Sequence, residues 1–206
     1  MKRKILKVIT FCAFLFCGMS ASPQTPIYLD KSQPIEQRIE DALSRMNLKK
    51  KINIIHAQSK FSAPGVPRLG IPELWCTDGP MGVRPEVMWD EWDQAAWTND
   101  SCMAFPALSC LAATWNPRMA SLYGKSIGEE ARFRNKSVLL GPGINVYRTP
   151  LCGRNFEYMG EDPYLISHMV VPYVQGVQSN GVSACVKHFA LNNNEINRHT
   201  SNPIVD

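Results

Sequence analysis

Three short polar clusters could do chemistry. The first is TDGPMGVR, residues 77–84, where an aspartate sits on a tight turn directly after an apolar run. A carboxylate placed there can accept two hydroxyl hydrogen bonds, and the planar fork of Arg84 can orient it. On residue type alone, Asp78 fits an Asp-Gly turn cap equally well. The second is GPGINVYRTPLCGRNFEYMGEDP, residues 141–163, which crowds Arg148, Arg154, Glu157, Glu161 and Asp162 into one connection with four glycines. A polar connection of that length is more often functional than decorative. Two of its residues also have structural readings: Asp162 as the N-cap of the next helix, and Glu157 with Arg154 as an ion pair. The third is KHFALNNNE, residues 187–195. Lys187 and His188 close a strand, so they reach one pocket only where that strand ends or bends.

Other chemistries lack their residues. His56, His168, His188 and His199 do not fall at metal-ligand spacing, and no G-x-S-x-G elbow is present. Gly141-Pro142-Gly143 lacks the third glycine of a dinucleotide fingerprint. Trp89, Trp92 and Trp97 could offer a stacking platform, but packing of their loop against its own domain is the favoured role.

The elements that must position these clusters follow from periodicity. Pro34 begins a helix with Ile35, Ile39, Leu43 and Met46 on one face, and a short helix follows from Leu48 to about His56. Residues 62–72 hold three prolines and two glycines and read as loop. Leu74-Trp75-Cys76 reads as a strand. Asn116-Pro117 and Asp162-Pro163 open two further helices. Val138-Leu139-Leu140 and Val182 to Val186 are strands. Strands that look buried on both faces and alternate with amphipathic helices mean parallel α/β architecture. The polar residues gather at the strands' C-terminal ends, with Asn145 beyond the second strand, as on the active face of a (β/α) barrel. A doubly wound sheet is the alternative. Only three or four strands are visible in 206 residues, where a full barrel takes about 250.

Residues 1–22 carry a basic start, an apolar run from Val8 to Phe16 and small residues after it, the layout of a secretory signal peptide. That segment holds four of the 22 Lys+Arg and none of the 18 Asp+Glu, so the remainder is balanced and offers nothing to nucleic acid or acidic lipid. A secreted or periplasmic protein with no membrane association after cleavage is expected. Five of the seven cysteines lie beyond it. Cys102 and Cys110 could close a short disulfide loop, whereas Cys76 and Cys185 read as buried thiols.

Taken in order, TDGPMGVR, AFPALSCLAATWNP, LLGPGINVYRTPLCGRNFEYMGEDPYL and VKHFALNNNEINR resemble glycoside hydrolase family 3, from about Ile35 onward. The resemblance implies the N-terminal half of that family's TIM-like (β/α)8 barrel domain over residues 23–206. It places Asp78, Arg84, Arg154, Lys187 and His188 in the subsite for the non-reducing terminal sugar. It further implies a retaining exo-β-glucosidase acting on β-glucosides or β-linked oligosaccharides, without a cofactor or metal. The nucleophilic Asp and the acid/base Glu are expected beyond residue 206, so the 206 residues alone would be inactive. A β-xylosidase, a mixed-specificity β-glycosidase or a non-catalytic sugar-binding remnant are the other readings. The segment after Lys187-His188 departs from the KHFPGHG of the N-acetylhexosaminidase branch.

Overall fold

The computed structural model describes residues 25–85, 87–89, 91–93 and 101–204. The signal-peptide segment and Trp97 lie outside the described residues. Two compact units divide between Lys51 and Ile52.

In the first unit, helix α1 (Ile35–Ser44) follows Pro34, as its apolar spacing predicts. Its Asp41 accepts the backbone N–H of Tyr28 at 3.0 Å and pairs with Arg45 at 3.0 Å. Helix α2 (Leu48–Asn53), which begins in the first unit, is three residues shorter than expected and ends before Ile54.

The second unit holds the sheet. Strand β1 (Ser62–Ala63) pairs antiparallel with β2 (Leu74–Asp78). Strands β3 (Val138–Leu140) and β4 (Ser183–Ala184) continue the sheet in parallel, in the order β1-β2-β3-β4. Each new parallel strand joins beside its predecessor, which is how a barrel grows; a doubly wound sheet reverses at a switch point. The sheet is an arc of a (β/α) barrel. Between the strands lie helices α3 (Leu108–Ala112), α4 (Pro117–Phe133) and α5 (Pro163–Gln178). Asn116 caps α4 by accepting the N–H of Arg118 at 3.0 Å, and Asp162 caps α5 through Tyr164 at 2.8 Å. Proline at the first helical position of each costs no hydrogen bond.

The core lies on the helical side of the sheet. Leu139 of β3 belongs to one buried cluster with Ile127 and Ala131 of α4, Tyr173 and Val177 of α5 and Leu108 of α3, all fully buried. Helices α4 and α5 touch backbone to backbone: a Cβ on Gly124 would lie 2.1 Å from the Tyr173 carbonyl oxygen, and one on Gly176 would lie 2.4 Å from that of Ser121.

Five expectations are corrected. The strands are not fully buried on both faces: Leu139 is inaccessible, but Cys76, Val138 and Leu140 on the opposite face are only half-buried. The helices cluster on the Leu139 side, which leaves the other face uncovered among the described residues. Cys102 and Cys110 form no disulfide, and Cys185 is exposed because it alternates away from the helices. Residues 62–72 are not all loop, since β1 and a 3-10 turn at Pro67–Leu69 lie within them. Strand β4 is also shorter than read, although Cys185 and Lys187 still donate to the carbonyls of Leu139 and Pro142 at 2.9 and 3.0 Å. That pairing carries Lys187 to the rim.

Candidate functional site

The C-terminal ends of the three parallel strands meet at an open cleft of about 540 Å³. Strand β2 delivers Asp78, the connection after β3 delivers Arg154 and Glu157, and the extension of β4 delivers Lys187. Met81, Phe105 and Phe156 supply apolar wall. The turn after Asp78 depends on Gly79 at φ 120°, where a Cβ would meet the Gly82 carbonyl oxygen at 1.6 Å. Only glycine fits that turn, and the turn swings Arg84 back toward Asp78.

Arg84 donates to Asp78 Oδ2 at 3.2 Å and to the Trp92 carbonyl at 3.1 Å. Its guanidinium lies 5.7 Å from the Trp92 ring centroid and 5.8 Å from that of Phe61. Trp92 meets Phe61 edge-on at 5.7 Å, and Trp89 meets Trp75 at 6.1 Å. The described part of the tryptophan loop therefore packs on its own domain.

Glu157 is the buried anion of the cleft. It forms a short ion pair with Arg154 Nε, and its Oε2 lies 2.7 Å from Lys187 Nζ. Burial alone would raise this carboxyl, but the hydrogen bonds and charges of Arg154 and Lys187 outweigh it and hold it below the ordinary carboxylate value. Burial likewise opposes the charge on Arg154, and the Glu157 carboxylate more than restores it. Glu195 flanks Arg154 on its other side at 3.9 Å and is bound in turn by Arg198 at 3.2 Å.

His188 stands behind Arg154. Its Nε2 lies 3.1 Å from Arg154 Nη2 and its Nδ1 lies 2.7 Å from the Tyr158 hydroxyl, which Asn192 also approaches at 2.8 Å. Buried Asn145 accepts the His188 backbone N–H at 3.2 Å. His188 borders a second cavity of about 540 Å³ that includes Arg148, Phe189 and Asn192. The structure thus brings Asp78, Arg84, Arg154 and Lys187 to one cleft, while His188 touches that cleft only through Arg154. Adjacent side chains diverge at the strand end: Lys187 reaches Glu157, whereas His188 reaches Arg154.

Sequence reasoning treated Glu157 as a structural partner of Arg154, which it is. It gave no sign of the second bond, to Lys187. Nothing in the spacing of Tyr158, Asn192 and Phe156 separates them from ordinary packing residues. Among the described residues, no group of three or more His, Cys, Asp or Glu side chains could hold a metal ion.

The comparisons with known proteins agree on one family. Residues 50–206 match the family model described as the glycosyl hydrolase family 3 N terminal domain. The chain is 68% identical over 173 residues to beta-glucosidase BoGH3A of Bacteroides ovatus, covering 84% of this chain and 23% of that protein. It is 44% identical over 170 residues to thermostable beta-glucosidase B of Acetivibrio thermocellus, covering 82% and 22%. Among solved structures, DesR, a beta-glucosidase from Streptomyces venezuelae in complex with D-glucose, superposes with a TM-score of 0.68 at 38% identity, over 78% of this chain and 20% of that one. The chain therefore spans under a quarter of the length of these relatives. With the family model covering most of its residues, the chain belongs to glycosyl hydrolase family 3, through that family's N-terminal domain.

Proposed function

We propose that the cleft holds the terminal sugar of a β-glucoside and that the protein acts as a retaining exo-β-glucosidase. The observation that carries this reading is the convergence of Asp78, Arg84, Arg154 and Lys187 on one cleft. Each cation there has a carboxylate against it: Asp78 for Arg84, and Glu157 for both Arg154 and Lys187. With Glu195 also 3.9 Å from Arg154, three carboxylates face three cations, and such a site suits a neutral ligand rich in hydroxyls better than a free anion. Asp78 accepts hydroxyl hydrogen bonds from the sugar, and the N–H groups of Arg154 and Lys187 donate to its oxygens. His188 acts from behind by holding Arg154. Bonds of this kind that shorten as the ring flattens toward an oxocarbenium-like state favour the transition state over the ground state. The names of the relatives support glucose as the sugar, and the basic and apolar start of the sequence supports export.

The test uses the full-length gene product with aryl β-D-glucoside and β-D-xyloside substrates, and D-glucose as competitor. Faster turnover of the glucoside, competition by glucose, and loss of both in Asp78→Asn are expected. Failure of glucose to compete at any concentration up to that of a weak monosaccharide ligand would sink the reading. Preferential turnover of the xyloside would replace glucose by xylose as the sugar held.

A further inference from the structure

Glu157 joins two cations that come from separate parts of the fold. Arg154 belongs to the same short turn, Asn155–Glu157 and its cap, whereas Lys187 arrives on the extension of β4. One carboxylate oxygen takes Arg154 Nε and the other lies 2.7 Å from Lys187 Nζ, so both oxygens are used. The Glu157 side chain is 5% exposed, against 26% for Arg154 and 14% for Lys187. The cations face the cleft more than the anion does. A buried carboxylate is tolerated only when so paired.

We propose that Glu157 is a positioning residue for the terminal sugar. Its carboxylate sets the spacing between the guanidinium of Arg154 and the ammonium of Lys187 and leaves their remaining N–H groups for the ligand. This rests on the reading of the cleft as a sugar subsite. A lysine on a four-carbon stem otherwise samples many rotamers, and ordering it on binding costs affinity. Glu157 removes that cost beforehand by holding Lys187 in place through their 2.7 Å ion pair. The residue acts through its two cations and needs no contact with the sugar.

The experiment is a double-mutant cycle on the full-length gene product, with D-glucose affinity as the readout. The variants are Glu157→Gln, Lys187→Gln and the double substitution, with thermal unfolding followed in parallel. Glu157→Gln is expected to weaken glucose binding on the order of tenfold. The same substitution in the Lys187→Gln background should cost clearly less. A purely structural glutamate would instead lower the melting temperature, leave the affinity of the folded protein unchanged and show no coupling to Lys187. Wild-type affinity in Glu157→Gln, or additive losses, would overturn the proposal. Should Glu157→Gln not fold, Glu157→Asp runs the same cycle, because its shorter side chain keeps the charge but cannot span both cations. Absence of glucose binding by the wild type overturns the sugar-subsite reading itself, and this proposal with it. That outcome is distinct from the others.

Discussion

At the scale of the residue, His188 takes its protonation state from what faces it. A guanidinium only donates, so Arg154 makes Nε2 an acceptor and leaves the neutral ring's proton on Nδ1, toward Tyr158. Burial, then the charges of Arg154 and Lys187, hold the imidazole below its ordinary value of 6.5, against a smaller opposite pull from Glu157 and Glu195. The unfolded chain therefore binds a proton that the folded chain refuses. Stability from this source is complete above the ordinary value and falls as pH drops below it, until the folded site also protonates. Thermal melts from pH 7.5 to 5 should show that decline, and His188→Gln should flatten it. Glu157, also depressed, adds its own loss further down, beginning as pH falls through 4.5. Asp78 and Lys187 were legible in the sequence because each ends an apolar strand, a local signal. The bond from Glu157 to Lys187 was not, since only closure of β3 on β4 brings them together.

At the scale of the element, the two long helices do more than cover the sheet. Tyr173 of α5 donates to the Pro80 carbonyl at 2.7 Å, and Tyr123 of α4 donates to that of Pro106, also at 2.7 Å. The rings lie 5.5 Å apart. Both prolines belong to segments bordering the cleft, so the helix pair supports the rim from beneath. Tyr173→Phe leaves the buried Pro80 carbonyl without its donor, which costs about 1–3 kcal/mol. The expected result is a lower denaturant midpoint together with weaker glucose binding, because the turn carrying Asp78 loses its support. Gly124→Ala should also destabilise, by about 1–3 kcal/mol despite alanine's better helix propensity, because its methyl group meets backbone that cannot swing aside. Chemical denaturation of the single variants checks both. Helices α4 and α5 were readable from Asn116-Pro117 and Asp162-Pro163, whose caps act within two residues. Helix α3 was not, because Leu108-Ser-Cys-Leu-Ala is too short to show a period. Strand β1 was also missed: Ser62 and Ala63 are a strand only because Trp75 and Leu74 pair with them.

At the scale of the whole molecule, the dominant feature is the face of the sheet opposite Leu139, which no helix covers among the described residues. Half-buried Cys76, Val138 and Leu140 lie on one side of the strands, and Phe189, Leu151 and Ile196 are largely exposed. Apolar surface of this kind is a liability for an isolated soluble chain. The 206 residues expressed by themselves should bind a hydrophobic dye such as ANS, melt over a broad range and show no glucoside turnover. A sharp cooperative melt without dye binding would show that this face is covered in some other way. The barrel arc itself was legible from the alternation of short apolar strands with amphipathic helices. The degree of burial was not, because period and composition do not say which neighbours arrive to cover a face.

The glycine seam between α4 and α5 has a kinetic consequence. Where Gly124 and Gly176 let the two backbones touch, no side chain can swing aside to admit solvent. Amides along that seam are expected to be the last to exchange with deuterium, while those of residues 189–195, exposed or half-buried beyond the extension of β4, exchange early. The rim could then open and reclose around a ligand many times during the lifetime of a helix pair that never parts.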